Sequence, residues 1–309
     1  MAQHNLLIMA YGGPNSMDDV RPYLLDVRNQ RPTSEEIFKE VEERYELIGG
    51  RSPILELTEA QGKGLETSLN AIGEDGEDWK VWVGMRHWHP YIAETMEEMK
   101  AAGVDKTVTL VMAPHYSAMS IGAYNNAVDN AADGVETASI DRWNLMPGYL
   151  EALTDRINDA LQKFPEDVRD TVPIIYTAHS LPEKIRDNND PYEADLQETF
   201  EAMKGRFTSN PGHWAYQSAA MTKDPWLGPD GSEVIEEIHQ AGGKHVLIVP
   251  VGFVCEHVEI LFDIDVEFKE QANELGMQLE RISMVNDHPA MMRGLAELVR
   301  NRAAEAGWL

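Results

Sequence analysis

Glu259, Asp263 and Glu267 stand four residues apart, a spacing that puts three carboxylates on one face of a helix. Like charges one turn apart repel, and their neighbours Ile260, Leu261, Phe262, Ile264 and Phe268 are too apolar for a helix lying in water. A divalent cation would relieve the repulsion. A solvated helix face is the competing reading, because 53 acidic against 26 basic residues, a net charge of −27, scatter carboxylates throughout the chain. Immediately upstream, Gly252-Phe253-Val254-Cys255-Glu256-His257 follows the strand-like run His245-Val246-Leu247-Ile248-Val249-Pro250, so the acidic row begins where a strand ends.

His179 stands at a similar corner, after Ile174-Ile175-Tyr176-Thr177-Ala178 and before Ser180-Leu181-Pro182. An imidazole titrates near neutral pH and ligates metal in its neutral form, so one group can be both base and ligand. A histidine satisfied within the fold suits the same place. Paired with a carboxylate such as Glu259, it favours divalent iron, zinc or cobalt over magnesium or calcium, and open coordination positions would keep the ion exchangeable. Arg28, Arg44, Arg51 and Arg86, near Tyr45 and Ser52 in the first half, could clamp ligand carboxylates or simply lie on the surface.

Other chemistries lack their signatures. No G-x-G-x-x-G turn follows the first strand, and neither a Walker loop nor a nucleophile elbow occurs. Cys255 is the single cysteine, which excludes an intrachain disulfide and an iron–sulfur cluster ligated by this chain's cysteines. The acidic balance, without any basic run, argues against nucleic acid as a partner. No run of about 18 apolar residues is present, and Met1-Ala2-Gln3-His4-Asn5 lacks the basic-then-apolar pattern of a secretion signal, so a cytoplasmic protein without membrane insertion is expected.

The elements that must position these residues alternate between short β-rich runs and longer helical patterns. Strands are expected at Leu6–Met9, Lys80–Val83, Thr107–Met112 and Glu136–Ile140, then at Pro173–Thr177, Trp214–Tyr216, Lys244–Val249 and Gln278–Ile282. A helix over about Pro289–Ala304 closes the chain. The pattern predicts an α/β protein of two Rossmann-like domains, each a four-stranded parallel sheet flanked by helices, joined near Asp141–Gly148. The first comprises residues 1–143 with the C-terminal helix, about 287–309, returning to it; the second, 144–286, carries His179 and Glu259. Ligands of such sheets bind beyond the carboxyl ends of the strands. Tyr11-Gly12-Gly13, Arg86-His87, Pro114-His115-Tyr116, His179 and the segment from Gly252 to Glu259 all fall at those ends. The interval from Gly12 to Gly73, with helical patterns over Ser34–Ile48 and Leu57–Ala71, exceeds what a crossover needs and is expected to form a lid or pocket wall.

Taken together, Ala10-Tyr11-Gly12-Gly13-Pro14, Arg44-Tyr45 through Gly49-Gly50-Arg51-Ser52-Pro53, Ala178-His179-Ser180-Leu181-Pro182, Asp224-Pro225-Trp226-Leu227-Gly228-Pro229 and Pro250-Val251-Gly252-Phe253-Val254-Cys255-Glu256-His257-Val258-Glu259 resemble the ferrochelatase family, in order and across almost the whole chain. The resemblance implies the chelatase fold and insertion of ferrous iron into a porphyrin held between its two halves. It implies His179 as proton acceptor and iron ligand and Glu259 as its carboxylate partner, with Asp263 and Glu267 guiding metal or protons. By the same carry-over, Tyr11, Arg28, Arg44, Tyr45, Ser52, His87 and Tyr124 contact the macrocycle or its propionates. Iron and porphyrin are then substrates, no cofactor is tightly bound, and a monomer is expected. The compact form, without a membrane lip or cysteine-bearing extension, favours coproporphyrin III over protoporphyrin IX. Tyr216-Gln217-Ser218 and Ala219-Ala220-Met221 depart from the family's usual Trp-Gln-Ser and Glu-Gly-containing turn. A chelatase for cobalt or nickel and another tetrapyrrole, and a non-enzymatic haem or metal carrier, remain as alternatives.

Overall fold

A computed structural model describes residues 2–74, 77–220 and 224–309. Among them the strands are β1 (Ala2–Ala10), β2 (Glu77–Met85), β3 (Lys106–Val111), β4 (Glu136–Ile140), β5 (Ile174–His179), β6 (Gly212–Gln217), β7 (His245–Pro250) and β8 (Gln278–Arg281). They form two four-stranded sheets with the same order, β2-β1-β3-β4 and β6-β5-β7-β8, and every neighbouring pair is parallel. The expected strands are all present, with ends displaced by up to four residues. β1 extends the expected Leu6–Met9 in both directions, because Ala2 to Ala10 stays in register with Glu77 to Met85.

Strands covered on both faces must be continuously apolar, and Leu6, Leu7, Ile8 and Met9 are accordingly excluded from solvent, as are Ile174, Ile175 and Tyr176 at the matching place in the second sheet. One buried cluster runs through both halves, from Leu6 and Ile8 through Tyr149 and Leu153 to Tyr176 and Leu247. The two sheets therefore share one hydrophobic core. The helix Pro289–Glu305 buries Met291, Met292, Leu295, Ala296, Val299 and Ala303 at helical spacing and packs on helices Ile54–Ile72 and Pro147–Leu161 and on β4.

In each sheet the strand order reverses between two neighbours, β1 and β3 in one and β5 and β7 in the other, and such a switch point opens a crevice at the carboxyl ends of those strands. The long interval after β1 folds into helices Met17–Val27, Glu35–Leu47 and Ile54–Ile72. The first two pack together and bring Tyr23 and Tyr45 edge to face at 6.4 Å. Among the described residues no helix is long and apolar enough to cross a membrane.

The acidic row departs from the regular helix its spacing predicts. Val258–Leu261 is one α-turn, Asp263–Phe268 is a π-helix, and Lys269–Glu274 returns to α. The Phe262 carbonyl accepts from both Val266 N and Glu267 N, each at 3.0 Å, which is where the extra residue enters. In an α-helix, residues four apart drift by about 40°. A π-turn holds more residues, so its fourth residue falls short of a full turn, and the second drift opposes the first. The insertion keeps Asp263 and Glu267 in line with Glu259.

Candidate active site

The crevice holds a cavity of about 340 Å³. The first half contributes Tyr11, Tyr23, Tyr45, Ser52, Arg86 and Tyr124 to its wall; the second contributes His179, Tyr192, Trp226, His257 and Glu259. Mostly apolar walls with a few converging polar groups are the usual make-up of a small-molecule site.

His179 ends β5, and Glu259 sits in the first turn after β7, so two adjacent parallel strands deliver the two groups to one place. Nε2 of His179 lies 3.5 Å from Oε1 of Glu259, and each side chain is 32% exposed, within reach of a ligand. The close approach requires Gly252: a Cβ there would meet the Ala178 Cβ at 2.7 Å and its Cα at 2.9 Å, displacing the residue before His179. A buried polar chain fixes the register from the other side. Thr177 donates to Gln217 Oε1 at 2.7 Å, and Gln217 Nε2 donates to the Glu259 carbonyl at 2.8 Å.

The tautomer of His179 follows from its neighbour. Nδ1 donates to the Ser180 carbonyl, which can only accept, and this leaves Nε2 as the nitrogen that faces Glu259. Tyr192 donates to the His179 carbonyl at 2.9 Å, holding the same corner. Burial disfavours the charged imidazole, but the Glu259 charge and hydrogen bond, the Ser180 carbonyl and Asp263 outweigh it and push the ring up to about 9. Burial would likewise raise Glu259, and the His179 charge overrides it, holding the carboxyl down at about 2. At neutral pH His179 and Glu259 therefore stand as an imidazolium–carboxylate pair.

Asp263 is buried behind that pair and accepts a short hydrogen bond from the Ser218 hydroxyl. Burial, followed by the Glu259 charge, pushes it up to about 7, so it holds or releases a proton at neutral pH. Glu267 is exposed at the outer end of the row and is raised mainly by desolvation, with Arg44 pulling the other way. A uniformly solvated face does not describe this row, because its middle member is buried. Among the described residues no group of three or more His, Cys, Asp or Glu side chains converges as a preformed metal cage. His179 and Glu259 are a two-donor set, open on its other sides.

Of the porphyrin-contact candidates, Tyr11, Tyr45, Ser52 and Tyr124 line the cavity with His179 and Glu259. Burial, then the Glu259 charge, pushes the Tyr11 phenol up to about 12, so it stays protonated. The others lie outside the lining. Arg28 donates to Thr33 at 2.9 Å; Arg44 pairs with Glu40 at 2.8 Å and sits 5.0 Å over the Phe262 ring, beside the acidic row. His87 bonds Asp26 at 2.8 Å and packs against Tyr11 with ring centroids 4.6 Å apart, so it backs the cavity wall. Arg86 also lies on the wall, its guanidinium 5.5 Å over Tyr124.

Tyr23 and Tyr192 had no role in the sequence reading, and Gln217 and Ser218, at and just past the end of β6, entered it only within the departure from the family's Trp-Gln-Ser. Gln217 and Ser218 were legible by the rule that ligands gather at strand ends; Tyr192 lies in a helix and carried no local signal. Tyr216 turns away from the cavity lining, with its ring edge-on to Trp214 at 5.4 Å. Met221 lies outside the described residues.

Residues 3–303 match the ferrochelatase family. The chain belongs to the ferrochelatase family. It is 40% identical over 306 residues to the ferrochelatase of Deinococcus radiodurans, covering 97% of this chain and 96% of that one. It is 38% identical over 301 residues to the coproporphyrin III ferrochelatase of Oceanobacillus iheyensis, covering 96% of each. Among solved structures, SirB from Bacillus subtilis with Fe3+ superposes with a TM-score of 0.62 at 12% identity, over 99% of this chain and 98% of that one, a likeness of fold. As a ferrochelatase the protein is an enzyme of haem biosynthesis that inserts ferrous iron into a porphyrin. That reaction exchanges two pyrrole N–H protons for one metal ion, so a ferrochelatase site must both accept protons and present iron.

Proposed function

We propose that this ferrochelatase metallates coproporphyrin III in the cavity between the two sheets, with His179 and Glu259 as the reacting pair. The His179–Glu259 contact at the cavity wall carries the reading, because it joins a base to an acceptor oxygen in one open site. His179 takes the pyrrole protons at Nε2, once the proton it shares with Glu259 has left, and the same nitrogen and Glu259 oxygens receive the incoming iron. Asp263, poised near neutrality, accepts protons from Glu259 and passes them towards exposed Glu267. Tyr11, Tyr45 and Tyr124 offer ring faces and edges to the macrocycle, while Ser52 and Arg86 are placed on the wall for its propionates. Arg28, Arg44 and His87 act from behind the wall in this reading, with Arg44 tempering the acidic row.

Coproporphyrin III has four propionates against two in protoporphyrin IX and gains more from such anchors. A relative at 38% identity carries that substrate in its name. Iron and porphyrin enter as substrates rather than residents, in the cytoplasm, on a single chain. An anaerobic assay following the loss of free-porphyrin fluorescence on adding ferrous iron tests the proposal. Coproporphyrin III is expected to be consumed with the higher kcat/KM. A preference for protoporphyrin IX would overturn the substrate assignment, and metallation of neither would sink the reading as a whole.

A further inference from the structure

Arg281 ends β8, one strand away from the pair just described, and its side chain is only 12% exposed. A buried guanidinium must be paired on every side, and this one is. Nε and Nη2 fork onto the two oxygens of Asp265 at 2.8 and 2.7 Å, while Nη1 donates to the Ile282 carbonyl at 2.6 Å and lies 3.7 Å from Glu256 Oε1. Glu256 in turn accepts from Met284 N at 3.1 Å. A bidentate fork fixes direction as well as distance, which a single contact does not.

The two carboxylates lie on either side of Glu259 in the chain, Glu256 three residues before it and Asp265 six after. One cation rooted in a sheet therefore ties down both ends of the segment that presents the reactive carboxylate. Asp265 is two residues from both Asp263 and Glu267, so it points roughly opposite to them on the π-helix. The anchor pulls on the far side of the helix from the acidic row. The segment needs holding: π geometry is uncommon, and Glu259 and Glu267 both repel Asp263 across successive turns. Ser218 restrains Asp263 on the cavity side; Arg281 supplies the opposing restraint.

We infer that Arg281 is a positioning residue for metal insertion, setting the placement of Glu259 and Asp263 through its fork on Asp265 and its contact with Glu256. It touches neither porphyrin nor iron. The inference rests on the function proposed above for Glu259, and it predicts a selective defect in handling the metal. A displacement of about 1 Å in a reacting group costs on the order of 100-fold, so a partly released segment should lose about tenfold or more in kcat/KM for ferrous iron. Porphyrin affinity should hold, because Arg281, Asp265 and Glu256 are absent from the cavity lining.

The test uses the full chain with Arg281→Met, Arg281→Lys, Asp265→Asn and the double variant Arg281→Met/Asp265→Asn. Iron KM and kcat come from the anaerobic assay, porphyrin affinity from fluorescence, and zinc affinity of the porphyrin-free chain from calorimetry. Arg281→Met and Asp265→Asn are each expected to lose iron kcat/KM and to bind zinc about tenfold more weakly with porphyrin affinity intact. The double variant should be little worse than either, since both remove one interaction, and Arg281→Lys should recover part of the loss. Should Arg281→Met fail to fold, Asp265→Asn, which keeps the charge beside Glu256, decides the matter. Folded variants with wild-type iron kinetics and zinc affinity overturn the inference, as does a parallel loss of porphyrin affinity or strictly additive losses. An inactive wild type would instead count against the proposed function, and the zinc arm would still judge the anchor.

Discussion

Replacing Asp263 by asparagine should stabilise the fold while impairing the enzyme, and the gain should depend on pH in a way set by one carboxyl. Asp263 is 7% exposed, and its carboxyl moves from an ordinary value of 3.8 to about 7 because of burial and the Glu259 charge. A group raised on folding binds more protons in the folded state, so stability is lost as pH climbs from 3.8 towards 7 and the cost is constant above that. At about 1.4 kcal/mol per pH unit, the full cost of carrying this charge is about 4 kcal/mol. Asparagine is neutral throughout and keeps an oxygen for the Ser218 hydroxyl. The asparagine variant should then gain on wild type by about 2 kcal/mol at pH 5.5 and about 4 kcal/mol above pH 8, in addition to any pH-independent offset of the substitution itself. Urea unfolding at the two pH values, with the slopes checked for equality, measures this directly. Metallation by the variant should be slower, a trade of activity for stability. A stability difference that stays flat between pH 5.5 and pH 8.5 would refute the reasoning, because it would mean that Asp263 ionises in the folded chain as it does in water.

Two further outcomes follow from the geometry. In Glu259→Gln the charge and hydrogen bond that do most to hold up the His179 proton are gone while burial remains, so the ring should titrate well below about 9, as read by NMR of its ring protons. The same variant should metallate at least about 100-fold more slowly while still quenching on porphyrin binding; a ring that still titrates near 9 would contradict the pairing. Gly252→Ala drives a methyl against Ala178 at 2.7 Å and should cost about 1–3 kcal/mol in thermal or urea unfolding, with a fall in kcat from the shifted His179. Unchanged stability and turnover would show that the strand ends yield freely.

The amino-acid sequence by itself determined the two α/β units, since strand periodicity and helix-length connections are local properties, and the motif order alone placed the family. It also put His179 and Glu259 at strand ends, the only places from which two parallel strands can aim side chains into a common crevice. Tertiary structure decided the rest, because the deciding forces act between residues far apart in the chain. The π-turn at Phe262 reshapes the segment of the acidic row, and Ser218, just past β6, and Arg281, on β8, bond its Asp263 and Asp265 from elsewhere in the chain. Charge behaves the same way. Asp263 and Glu267 are both plain carboxylates in the sequence, yet one is buried beside Glu259 and the other meets water, and burial with the Glu259 charge pushes Asp263 up to about 7. Arg28, Arg44 and His87 match family positions and still lie outside the cavity lining, where Thr33, Glu40 and Asp26 bond them. Glu40 and Thr33 are near neighbours in the chain, whereas Asp26, on the first helix after β1, reaches His87 only through packing across 61 residues.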